Sequence, residues 1–469
     1  MSDQDLVYLT IAEAGALIAS KSLSPVELAE AVFRRIEATD GRLNSYNRLM
    51  RASALAEARA AEQRAAAGTL LGPLDGIPIG VKDLYDTAGV ITTGGTGAYR
   101  QRVPAQDATT VRLLRQAGAV IVGKTNTHEL ALGGTTNNAH YGPSRNPWNT
   151  ERVPGGSSGG SGSAVAAGQA LGALGTDTGG SIRIPAAFCG ITGHKPSHGL
   201  VGRGGVLPLS LTLDHAGPMT RSALDCALML TVLAGYDPRD LDSVRRPHEN
   251  YAAGIDVPVA GLKVAIVPSL LAECQPAVLD AFEGSLGVLR ALGVEIGEVE
   301  PMAGFDDWRA EMQPIMMTEA ASYNEKILDD VPPTVSEPIR TMMNRGFEVK
   351  AVAYQRALDF RKLMEQRYEH ALADGGYAAY VTPTSPQVAE PIAPDPTAEP
   401  PQPLKFRNTS VFNQNRQPSI SLPNGFDGDG LPTGLMVSAA RWQDATALRI
   451  AHAVQQVTDW HTRRPALAG

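Results

Sequence analysis

The sequence predicts an α/β fold, and three observations carry that prediction. Apolar runs at Ile77–Val81 and Ala119–Val122 have the length and bounding turn residues of buried strands, with a helical stretch from Asp107 to about Gln116 between them. N-capping signals mark helices at the start of the chain. Hydrophobic residues make up 43% and charged residues 19% of the 469 positions, enough to bury a large core and too apolar for disorder.

Two helices are expected to open the fold, one at the capping box Thr10-Ile-Ala-Glu13 and one at Ser24-Pro-Val-Glu27, where Pro25 takes the favoured first helical position. Leu28, Val32 and Ile36 give the second an apolar stripe. Residues 52–67, rich in alanine, form a third helix with Arg and Glu outward. The strand after Gly72-Pro-Leu-Asp-Gly76 delivers Lys82 at its end, which reads either as an edge residue reaching solvent or as an ammonium held inside. Asp107 is expected to cap the next helix. Residues 126–148 form a long irregular wall.

Further on, a helix spans about Ser222–Ala234, residues 242–257 link to a strand at Leu262–Val267, and the text from Trp308 to Ala373 is helical. Met312, Met316, Met317, Met342 and Met343 punctuate that stretch, and methionine fills cores more often than it lines pockets. Pro383–Pro403 is expected to run over the surface, before Phe412–Phe426 and Gly434–Ser438 return to short strands and a last helix ends near Trp460.

A net charge of −8 gives no general attraction to nucleic acid or to an anionic membrane. Three widely spaced cysteines make neither a disulfide framework nor a zinc site and fit a reducing cytoplasm. Nine scattered histidines without H-E-x-x-H predict no metal, and no cofactor motif is present. The first residues show no signal-peptide pattern, so a cytoplasmic protein is expected.

Function is concentrated in Gly155–Pro196, where two Gly/Ser clusters flank an alanine-rich run. A flexible linker would lack the apolar Ala164–Ala167 and Ala170–Leu171. Gly155-Gly-Ser-Ser-Gly159 satisfies G-x-S-x-G, but the polar, proline-broken residues before it supply no strand for a nucleophile elbow. No G-x-x-x-x-G-K-[ST] loop exists. Asp214 and His215 are adjacent, yet neighbours in a strand point to opposite faces, so they are read as structural.

With Lys82 after GIPIGV, Ser157 in GGSSGGS and Ser181 in GTDTGGSIRIPAAFCGITGHKP, the chain closely resembles the amidase signature family of amide hydrolases. The resemblance covers nearly the whole chain. It implies one domain over 1–469, a central mixed sheet with helices on both sides, a signature core at about 72–235 and a helical insertion at about 305–373. It also implies a triad of Lys82, Ser157 on a cis peptide bond, and the nucleophile Ser181. The backbone N–H groups of Thr178, Gly179, Gly180 and Ser181 would form the oxyanion hole. Asp177, Arg183 and Ser158 would support it, with binding of a substrate carboxylate as the alternative for Arg183. The text departs from the family at His194 in Gly193-His-Lys-Pro and in the polar Asn413-Gln-Asn-Arg-Gln-Pro418.

The activity implied is a serine amidase acting on small or aryl amides, aryl carbamates (urethanes) and esters, as a monomer or homodimer with no nucleic-acid or membrane partner. A component of an amidotransferase that releases ammonia is the alternative within the class, and a non-catalytic binding protein the alternative outside it. Substrate contacts are placed at Leu132, Gly133, Thr135, Met316, Met317, Met343 and Phe412, the last in a Phe412–Arg416 loop.

Overall fold

The computed structural model describes residues 2–304, 308–395 and 404–467. Positions 305–307 of the helical insertion and 396–403 of the proline-rich stretch lie outside them. A mixed sheet of 11 strands runs in the order Tyr46–Leu49, Val120–Thr125, Pro78–Lys82, Gly172–Asp177, His215–Thr220, Thr192–Lys195, Ser419–Phe426, Pro432–Ala439, Ala379–Pro383, Lys263–Ile266 and Glu295–Glu298. Pro78–Lys82 pairs in parallel with Val120–Thr125 on one side and Gly172–Asp177 on the other. Lys82 and Asp177 therefore emerge at the same edge, the carboxyl ends where open α/β sheets place their ligands.

Alternation along the strands separates two cores. Val264, Ile266, Val381, Ile420, Leu422, Leu435 and Val437 join one large apolar cluster with the N-terminal helices. Ala265, Tyr380 and Met436, of opposite parity, pack with Met312, Ile315, Met364 and Tyr368 of the helices Trp308–Leu328 and Ala351–Gly375. Both faces of the sheet are thus covered by helices, as a largely apolar strand sequence requires. No helix among the described residues is long and apolar enough to cross a membrane.

Local signals hold in part. Glu13 N–H donates to Thr10 Oγ1 at 3.1 Å while Thr10 N–H donates to Glu13 Oε2 at 2.8 Å, completing the expected box. A further helix, Asp3–Val7, precedes it, so three helices and not two open the chain. Asp107 is not a cap: the helix starts at Thr109 after Ala108, and the carboxylate instead accepts from Ala88 N–H at 2.8 Å and Arg115 Nη1 at 2.8 Å. Both of its oxygens are thus engaged by groups other than the first N–H groups of the helix. The helix Pro276–Ala291 and the edge strand Glu295–Glu298 were not anticipated; the strand, Glu-Ile-Gly-Glu, is half exposed and has no apolar run to announce it. Pro383 ends a buried strand and Thr384 and Ser385 are buried after it, so the proline-rich stretch begins inside the protein. Phe412 sits in a helix, Arg407–Gln414, and not in a loop.

Candidate active site

From Val153 to Thr178 every residue is buried, which removes any linker reading of the Gly/Ser clusters. The first cluster turns into the helix Gly159–Ala166, where a Cβ on Gly160 would lie 2.4 Å from Asn126 O. Only glycine fits that approach. The Gly156–Ser157 peptide bond is cis. Ser157 O accepts from His128 N–H at 3.1 Å, Thr127 Oγ1 at 3.0 Å and Thr136 Oγ1 at 3.3 Å, so the backbone bearing Ser157 is pinned from the irregular wall.

Lys82 is fully buried at the end of its strand, opposite in parity to the core residues Ile79 and Val81. Its Nζ lies 2.8 Å from Ser157 Oγ, 2.8 Å from Ser158 Oγ and 2.7 Å from Thr176 Oγ1. No carboxylate touches it among the described residues, and burial pushes its pKa well below the usual lysine value against the more distant pull of Asp177 and Asp214. Of the two readings of Lys82, edge residue or ammonium held inside, the structure shows the interior position of the second, with burial working against the charged form. The three hydroxyls are not equivalent. Ser158 Oγ donates to Thr176 O at 3.1 Å and accepts from Thr176 N–H at 3.2 Å, so its proton is already used. Ser157 Oγ has no partner but Lys82 among the described residues.

The second cluster links the strand Gly172–Asp177 to the helix Arg183–Cys189. Gly180 has φ +144°, and a Cβ there would meet Thr409 Oγ1 at 2.2 Å. Thr409 Oγ1 donates to Gly179 O at 2.6 Å. In a trans peptide the N–H points opposite its carbonyl, so Gly180 N–H is turned away from Thr409. Among the described residues, the N–H groups of Gly179, Gly180 and Ser181 donate to no protein acceptor. Ser181 is 3% exposed and its hydroxyl has no hydrogen-bond partner among those residues either; it is not bonded to Ser157. Such contacts often close only around substrate.

Asp177 and Arg183, both completely buried, form a two-pronged pair: Nε to Oδ2 at 3.0 Å and Nη2 to Oδ1 at 3.0 Å. Asp177 Oδ2 also accepts Ile182 N–H at 3.1 Å. Asn413 joins them, accepting from Arg183 Nη2 at 2.7 Å and donating to Asp177 Oδ1 at 2.8 Å. Burial raises the Asp177 pKa, but the charge and N–H groups of Arg183 outweigh it and hold the group at about 2. The pair is internal, with the guanidinium fork already filled. Arg183→Met should lower stability by about 3–5 kcal/mol, read by chemical denaturation, because Asp177 is left charged and buried. Asp214 and His215 are no dyad: Asp214 Oδ1 accepts from Thr178 Oγ1, whereas His215 Nδ1 faces Leu213 O at 2.7 Å.

Residues 27–448 match the Amidase family. The chain belongs to that family. It is 40% identical over 492 aligned positions to a glutamyl-tRNA(Gln) amidotransferase subunit from Chloroflexus aggregans, covering 99% of each chain. Among solved structures it is similar to an amidase, 34% identical with a TM-score of 0.85 over 96% of this chain and 99% of that one. A bacterial aryl acylamidase of the amidase signature enzymes is 25% identical with a TM-score of 0.88 over 98% and 99%.

The residues expected to contact substrate fall in several places. Leu132, Met316 and Met343 meet in one apolar cluster with Leu84 and Leu130. Gly133 lies against the His128 ring, Thr135 Oγ1 is 3.3 Å from His128 Nδ1, and Met317 is buried. Phe412 is core, fully buried and edge-on to Tyr368 at 5.9 Å, so it is no loop residue over the site. The aromatic ring beside the turn is that of Phe406, half-buried: a Cβ on Gly134 would lie 2.8 Å from this ring and one on Gly179 would lie 3.6 Å from it. Phe406 escaped the sequence reading; Thr136, Thr176 and Asn413 stood in stretches that it quoted, without the contacts they make here. Thr176, inside the GTDTGGS text, was the one with a local signal.

Proposed function

We propose that this protein hydrolyses carboxamide C–N bonds through an acyl-enzyme on Ser181, with Lys82 as the base and Ser157 carrying the proton between them. The observation that carries the reading is a buried lysine with no carboxylate partner among the described residues, ringed by three hydroxyls: Ser158 has its proton committed to Thr176 O, whereas Ser157 and Thr176 have no side-chain partner there but Lys82. A neutral amine accepts a proton, and burial supplies the neutral amine.

Attack of Ser181 Oγ on the carbonyl carbon sends its proton through Ser157 to Lys82. The oxygen that gains the charge is met by the free N–H groups of the Thr178–Ser181 turn, where one donor is worth on the order of 3 kcal/mol. Collapse expels the amine, which takes the proton back by the same route, and water then repeats the attack on the ester to free the acid and Ser181.

Small or aryl amides, with aryl carbamates and esters, are the substrates we favour. The cations beside the turn are committed, Arg183 to Asp177 and Lys405 to Glu390, and the half-buried Phe406 ring offers an apolar wall. A second reading, in which the chain releases ammonia for a partner, is the one that the curated relatives favour over the first, since the relative from Chloroflexus aggregans is named as part of an amidotransferase and matches along its whole length. Product release by mass spectrometry from primary amides, anilides, aryl carbamates, esters and glutamine separates the two. Hydrolysis of anilides by the isolated chain is the expected result; glutamine hydrolysis that appears only with a copurifying polypeptide selects the second. Failure of a fluorophosphonate probe to label Ser181 would return the protein to the binding class.

A further inference from the structure

Asp177, Arg183 and Asn413 hold one side of the Thr178–Ser181 turn. The other side is held by Asp214. Thr178 Oγ1 donates to Asp214 Oδ1 at 2.5 Å, and Asp214 Oδ2 accepts the N–H groups of Leu209 at 2.9 Å and Ser210 at 3.1 Å. Asp214 N–H returns to Ser210 O at 2.7 Å, so residues 209–214 fold as a strap around a single carboxylate. From outside, Glu319 in the helix Trp308–Leu328 accepts from Ser210 Oγ at 2.8 Å, Thr212 N–H at 3.1 Å and Thr212 Oγ1 at 2.7 Å, and also from Tyr354 OH at 3.0 Å. An unbroken run of hydrogen bonds thus joins the helical insertion to the turn.

Both carboxylates are buried, and neither forms an ion pair among the described residues. Burial pushes Asp214 up to about 6, opposed by the Thr178 hydroxyl and the strap N–H groups. A carboxylate placed so is a poor source of stability, since apolar side chains would fill the space more cheaply. What it provides is direction: one oxygen for Thr178, the other for the strap. The adjoining space, bounded by Thr176, Arg203, Asp214 and His215 among others, holds about 10 Å3. That admits no more than one water, so a lost hydrogen bond cannot be rebuilt by a water chain.

We infer that Asp214 is a positioning residue for the oxyanion-binding turn, acting through Thr178, and that Glu319 ties this support to the helices of the insertion. The inference rests on the assignment of Ser181 as nucleophile. It concerns the stabilisation of the tetrahedral intermediate and not substrate binding, because Asp214 fixes the strand-to-turn junction from which the Gly179, Gly180 and Ser181 N–H groups project.

The test uses an anilide that the wild type turns over, phenylboronic acid as a probe that forms a tetrahedral anion on a reactive serine, and fluorophosphonate labelling of Ser181 to count folded sites. Thr178→Val keeps the shape and removes the hydroxyl; Asp214→Asn keeps the shape and the contact with the strap but replaces a charged acceptor with a neutral amide. Each should lower kcat per labelled site on the order of tenfold to a hundredfold, the range expected for a misplaced reacting group, with KM within about twofold. Boronate affinity should fall by the same factor as kcat, and the double variant should lose no more than the worse single one. Thr178→Ser should regain most of what Thr178→Val loses. Glu319→Gln should show the same pattern with a smaller factor, and an unaltered Glu319→Gln enzyme would break the tie to the helices. A rise in KM alone, an unchanged boronate affinity beside a reduced kcat, or losses that multiply would each overturn the role of Asp214. A wild type inert to both anilide and label would fail at Ser181 itself, whereas an active wild type with unaffected variants would refute this inference alone.

Discussion

Ser181→Ala should reduce amide turnover on the order of a millionfold, while its melting temperature stays at the wild-type value. The first expectation follows from chemistry: without Oγ there is no acyl-enzyme, and the remaining N–H groups can only assist direct attack by water, the modest residue seen when a nucleophile is removed from an intact site. The second follows from the structure. The Ser181 hydroxyl bonds to no described residue, so its removal leaves no orphaned donor or acceptor. Mass spectrometry of products and a thermal scan on the same sample read both. A variant that keeps wild-type turnover would move the nucleophile elsewhere, and one that unfolds would show that Ser181 is structural. Ser158→Ala is the informative companion. Its hydroxyl is spent on the backbone of Thr176, so it should retain far more activity than Ser157→Ala.

The contrast between those two serines shows what a sequence can and cannot carry. GGSSGGS offers two adjacent hydroxyls with nothing local to rank them, and the family resemblance chose Ser157. The physical reason, a proton already committed at Ser158, needs Thr176 from another strand end. Local rules performed where the determining contacts are local: the Thr10 box is formed as read, and the strand ending in Lys82 is where its apolar run put it. They failed where a group from elsewhere in the chain intervened, as when the N–H of Ala88 took an oxygen of Asp107.

The two departures from family text illustrate the same limit. His194 and the polar run at 413–418 looked unrelated in sequence, yet His194 Nε2 meets Asp444 at 3.1 Å, Asn413 joins the Asp177–Arg183 pair, and Lys195 Nζ reaches Gln417 O at 2.5 Å. Polar residues crowd the interior there because the buried charges beneath the turn need partners. Phe406 had no chance of being read. It follows a proline-rich stretch, carries no periodic signal, and gains meaning only from the two glycines against which it lies.

Lys82→Met should lower turnover on the order of ten thousandfold and yet melt no lower than the wild type at neutral pH. Loss of a general base accounts for the first figure at the upper end of its range. The stability argument runs the other way from the usual core substitution. A lysine whose folded pKa lies well below its usual value near 10.5 is proton-free in the fold at pH values where the unfolded chain holds the proton. The unfolded state then binds more protons, and stability rises with pH from the folded pKa up to about 10.5. At neutral pH that difference is a standing cost, which methionine, of similar volume and without charge, does not carry. Against this stand the Ser157 and Thr176 hydroxyls that lose their contact with Nζ, worth about 1 kcal/mol each where no water replaces it. Lys82→Arg separates base from filler, because a guanidinium keeps the length and the donors but does not give up its proton. It should be as inactive as Lys82→Met and markedly less stable. The wild-type kcat/KM should fall on acidification through the depressed lysine pKa, since only the neutral amine accepts the Ser157 proton. A flat acid limb, or an active Lys82→Arg enzyme, would remove Lys82 from the proton path and leave it as a buried strut beneath the cis peptide.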